Sequence, residues 1–114
     1  MANNFKLYGA SLTDTAETTL ITVASSSIYI ISSIIIANTT AGTDSTIDLL
    51  ITDSSAASGA GADFKILTNE PINRTVSREI LSRPLVLEND DILKVQAAAG
   101  NVYDVLISYL DRSR

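Results

Sequence analysis

The longest regular pattern in the chain lies at residues 27–38, SIYIISSIIIAN. Successive side chains on a strand point to opposite faces. Unbroken alternation places Ile28, Ile30, Ser32, Ile34 and Ile36 on one face. It places Tyr29, Ile31, Ser33, Ile35 and Ala37 on the other. Both faces are apolar, with one serine on each. A strand in a two-layer sheet protein needs only one apolar face. The second face therefore predicts a cover, from a loop, a neighbouring domain or another subunit. A helix is the rival reading, and the concentration of isoleucine with paired serines speaks against it.

Other runs are shorter. Residues 5–8 alternate weakly and open the chain as a strand, and residues 18–23 (TTLITV) form a β-branched second one. Residues 45–53 set Ile47, Leu49 and Ile51 against Thr46, Asp48, Leu50 and Thr52. That strand is expected to form a hairpin with the one before it. Short strands follow at residues 64–67, 85–87 and 92–97, and residues 75–81 read as a strand or one helical turn, with strand preferred. A closing strand at 102–110 has Tyr103, Val105, Ile107 and Tyr109 on one face. Turns are expected at residues 13–17, 39–44, 69–73, 82–84 and 88–91, and a hairpin turn at 98–101. Residues 54–62 (SSAASGAGA) have no large side chain and read as a flexible loop. The sum is about eight or nine short strands and no helix. The expected fold is an all-β, antiparallel β-sandwich of jelly-roll-like type, forming a single domain over residues 1–114.

Composition narrows the function. The 114 residues carry a net charge of −5. Nucleic-acid binding needs clustered Lys and Arg to displace counterions, so an acidic chain argues against it. The arginines at 74, 78, 83, 112 and 114 are interleaved with acids and read as solvated surface. The apolar run at 28–37 is about half the length a membrane helix needs, and no signal segment opens the sequence. The expectation is a soluble protein made in the cytoplasm, with no membrane partner.

There is no cysteine and no histidine. That removes disulfides, thiolate metal sites, the commonest general base and the commonest nucleophile pairs. The densest acidic cluster, Glu88, Asp90 and Asp91, could serve as a carboxylate pair or a calcium site. Its place in a short turn, without a calcium-loop pattern, favours a solvated hairpin. No serine sits in Gly-x-Ser-x-Gly, and Gly59-Ala60-Gly61 lacks the lysine of a phosphate loop. The four tyrosines come without tryptophan, which favours core or subunit contact over a carbohydrate platform. The chain is therefore read as a non-enzymatic structural or binding module, with no catalytic residue, metal or cofactor.

Several segments, in this order, resemble small structural proteins of tailed bacteriophages, cyanobacterial and marine ones among them. Residues 18–24 (TTLITVA) lead to 34–40 (IIIANTT), then to 83–97 (RPLVLENDDILKVQA) and 105–110 (VLISYL). The resemblance spans residues 13–111, and the loop at 54–62 departs from it. It implies a β-sandwich virion component, foremost a capsid decoration (cement) protein on the major capsid shell. A cement protein would be a homo-oligomer, as a trimer. A neck or tail component is the alternative, and a glycan- or receptor-binding sandwich a further one. The candidate partner contacts are Tyr29, Ile31, Ile35, Tyr103 and Tyr109.

Overall fold

The computed structural model describes residues 2–39, 44–54, 62–98 and 103–113. They form nine strands: β1 (Ala2–Ser11), β2 (Thr18–Thr22), β3 (Ser27–Asn38), β4 (Ser45–Asp53), β5 (Ala62–Ile72), β6 (Ser77–Glu79), β7 (Leu85–Leu87), β8 (Ile92–Ala97) and β9 (Tyr103–Ser113). The expected turn at 39–44, loop at 54–62 and turn at 98–101 fall largely on residues outside those described.

Two antiparallel sheets result. The first runs β1-β9-β3-β6, with β7 also on β3; the second runs β2-β8-β4-β5. Because β9 flanks β3 along its length, β6 and β7 share the other side of β3 as one interrupted strand. Counted so, four strand positions face four, in the jelly-roll arrangement. Successive strands therefore usually lie in opposite sheets. The expected β3–β4 hairpin is corrected accordingly: β3 pairs with β9, β6 and β7, whereas β4 pairs with β5 and β8. Likewise β8 and β9 are not a hairpin, since they belong to different sheets. Both β3 and β4 are interior strands, so each needs two neighbours, and a local hairpin supplies only one.

The face assignment of β3 is corrected too. Its register with β9 slips between Ile31 and Ser33. A β-bulge of this kind adds one residue and resets the alternation. Tyr29 and Ile31 before it, and Ile34 and Ile36 after it, therefore all point between the sheets and are buried. Glu79 satisfies the other side of β3 at this point, where β6 gives way to β7. Its carboxylate accepts the Ile34 amide at 2.8 Å and the Leu81 amide at 3.2 Å, and the Ser33 hydroxyl donates to it as well.

The expected turn at 69–73 is instead the continuation of β5. Pro71 is tolerated because β5 is the edge of its sheet, where no ladder donor is lost. Asn69 has φ 50, and the β4–β5 register shifts nearby. Asp48 accepts the Asn69 amide at 2.6 Å.

The core lies between the sheets. Ile31, Ile34, Ile36, Tyr103, Val105 and Ile107 of the first sheet meet residues such as Ile47, Leu49, Leu93 and Val95 of the second. A buried side-chain hydrogen bond crosses this layer: Asn38 Nδ2 donates to the Ile72 carbonyl at 2.9 Å.

Candidate interaction face

The two outer faces of the sandwich differ in chemistry. On the second sheet, Lys65 pairs with Asp48 at 3.0 Å and Lys94 with Glu17 at 3.4 Å. The Asn69 amide and the Lys65 ammonium hold the Asp48 carboxyl below its ordinary range. The exposed large apolar side chains of this sheet, Phe64 and Ile66, sit on the edge strand β5.

The outer face of the first sheet is mostly apolar. Residues opposite one another in register share a face. One row across the sheet reads Phe5, Leu110, Ile30, Val86. The next reads Leu7, Ser108, Ser33, and the third Gly9, Leu106, Ile35, Glu79. Phe5 is 88% exposed, Leu7 66% and Val86 56%. An open hollow of about 470 Å³ lies over Gly9, between Ile35, Ala37, Asp104 and Leu106. A second, of about 390 Å³, lies beside Phe5, Leu7, Ser32 and Ser108. Contiguous apolar surface of this kind marks an interaction site more often than a plain solvent face.

Charge stays at the margin of this face. Lys6, on the inward side of β1, pairs with Asp111 at 3.0 Å. The hydrogen bond to Asp111, then its charge, raises the Lys6 ammonium above its ordinary value. At the far end the Ser11 hydroxyl donates to Asp104 at 2.5 Å.

The five candidate contacts divide. Ile35 lies on the outer face and is 37% exposed. Tyr29, Ile31 and Tyr103 are buried between the sheets. Tyr109 is half-buried on the inward side, its ring 4.9 Å from that of Tyr29 and tilted by 35°. Burial raises the phenols of Tyr103 and Tyr109. The outer face is carried instead by Phe5, Leu7, Leu106 and Val86. Phe5 and Leu7 alternate with Lys6 and Tyr8 in the sequence, and Leu106 alternates with Val105 and Ile107, so period two could have found them.

The buried carboxylate of the acidic turn is taken up by donors of the turn itself and of Ser54. Asp91 is buried and accepts from the Glu88 amide at 2.8 Å, the Ser54 amide at 3.0 Å and the Ser54 hydroxyl at 3.2 Å. Asp90 takes φ 67 at the turn. Among the described residues, no three acidic side chains gather as a metal site would require.

No protein-family model and no curated protein matches the chain. Among solved structures, the fold is similar to a chain of the crystal structure of the T13 IBDV viral particle, with a TM-score of 0.58 at 10% identity. The match covers 96% of this chain and 30% of that one. At this identity the likeness concerns the fold.

Proposed function

We propose that this chain is a non-enzymatic structural subunit of a virus particle, and within that class a capsid decoration protein of a tailed bacteriophage. The observation that carries the reading is the pairing of a jelly-roll sandwich, similar across nearly its whole length to part of a viral-particle chain, with one apolar outer sheet face. The segment resemblance to tailed-phage structural proteins points the same way.

The physics suits such a role. Burying apolar surface is worth roughly 25 cal/mol per Å², and binding recovers part of that after ordering costs. Attachment in many copies then adds avidity without stronger single contacts. The partners are other virion proteins, first the major capsid protein, together with copies of this chain.

Quantitative mass spectrometry of purified particles tests the reading. Copy numbers in the hundreds support decoration of the shell. A dozen copies or fewer would reassign the chain to the neck or tail, and its absence from particles would overturn the virion role.

A further inference from the structure

Free sheet edges are usually blunted by shortness, bulges, proline or charge, because an open ladder invites another strand. Three edges here are blunted. The β6/β7 edge consists of two three-residue strands, with Pro84 in the gap. β5 carries Pro71 and register shifts against β4, and β2 is five residues long with a shift against β8. The fourth edge, β1, is different. It runs ten residues in unbroken register with β9 and contains no proline. Its one charged side chain, Lys6, turns inward to Asp111. Among the described residues, no strand pairs with its outer side.

The ladder fixes which amides are free. Leu12 N–H donates to the Tyr103 carbonyl at 2.9 Å. Alternation then aims the amides of the even residues at β9. Those of Asn3, Phe5, Leu7, Gly9 and Ser11 point away from it.

The outer side chains of the same strand are self-complementary. Phe5 projects almost bare, and Gly9 leaves the hollow bounded by Ile35, Ala37 and Leu106. Leu7 lies midway between them. We propose that β1 pairs antiparallel with β1 of a second copy, about a two-fold axis at Leu7. Each Phe5 then lies opposite Gly9 of the other copy and fills its hollow, a packing in which an aromatic ring covers a strand glycine. The free amides of Phe5, Leu7 and Gly9 complete the ladder. Neighbouring registers fit worse. An axis at Lys6 opposes two ammonium groups. An axis at Tyr8 sets Phe5 against Ser11, which is bonded to Asp104. The inference goes beyond the virion role and does not depend on it.

A single cysteine tests the register, since the chain has none of its own. Opposed Cα atoms in a hydrogen-bonded pair are about 5.5 Å apart, within the span of a disulfide. Under mild oxidation the full chain with Leu7→Cys is expected to cross-link to a dimer, and Val86→Cys, on the same face, is not. Adding Gly9→Val to Leu7→Cys is expected to weaken dimer formation about tenfold by filling the hollow. There is room for its Cβ, which meets Leu106 Cδ1 at an ordinary 3.5 Å. Circular dichroism of each variant checks that it is folded. Equal cross-linking of Val86→Cys, or no effect of Gly9→Val, would overturn the proposal. So would sedimentation of the unaltered chain as a monomer or trimer only.

Discussion

Glu79 holds the Ile34 amide at 2.8 Å, across the point where β3 slips by one residue against β9. The Ile34 carbonyl accepts from Ile80, so the Ile34 amide faces the gap between β6 and β7, and the Glu79 carboxylate takes it up there together with the Leu81 amide. Hydrogen bonds to a charged group contribute about 1.5–3 kcal/mol. Glu79→Ala is therefore expected to lower stability by about 1–3 kcal/mol. Urea unfolding checks this: the midpoint should fall with the slope unchanged.

The same carboxylate makes stability depend on pH. Partial burial pushes the Glu79 carboxyl up, but hydrogen bonds from Ser33, Ile34, Leu81 and Ile80 outweigh it and hold the group below its ordinary 4.5. Asp48 is held below its ordinary 3.8. A carboxyl depressed in the folded state stabilises it above the unfolded value, and that contribution is lost as pH falls through the folded value. Stability should therefore decline as pH drops below 4.5 and further below 3.8. Glu79→Gln should flatten the first part of the decline in thermal melts at stepped pH.

Ile31 and Ile35 should separate cleanly in a melt. Ile31 is fully buried, and truncating such a side chain to alanine costs about 2–5 kcal/mol. Ile35 lies on the open face, where Ile35→Ala should stay within about 1 kcal/mol in the isolated chain. If Ile35→Ala proved the more damaging, Ile35 and not Ile31 would face the core.

Asp91 is expected to act on stability and not on chemistry. Asp91→Ala leaves the Glu88 and Ser54 amides without their acceptor. The expected loss is about 1–3 kcal/mol in chemical denaturation. A loss well below that range would mean that water replaces the carboxylate.

Most strands were legible in the sequence, because β-branched runs separated by polar turns mark them; the end of β5, read as part of a turn at 69–73, was not. The faces of β3 were not legible. Its even and odd positions are equally apolar, so the bulge at Ser32 leaves no polar residue out of place to betray it. That is why Tyr29 and Ile31 could be grouped with Ile35, although the fold separates them. Strand order was hidden for another reason: β3 and β4 are close in sequence but each is completed by strands far from it, and periodicity carries no information about partners. The outer apolar face was partly legible, since Phe5, Leu7 and Gly9 alternate with Lys6, Tyr8 and Ala10. Short, weakly apolar runs of that kind are easily passed over beside a stronger one.

The ladder between β1 and β9 sets Ala2 against Ser113, and the Lys6–Asp111 bond spans 105 positions. Domains dominated by such non-local pairings have high contact order and fold in milliseconds to seconds, not microseconds. On the ribosome, β9 is made long after β1 and β3, the two strands it joins. Until it emerges, the first sheet has no centre, and the apolar side chains of β1 and β3 wait without their main neighbour. Synthesis thus imposes an interval during which the chain is open to misassembly, and expression should benefit from slower production or lower temperature.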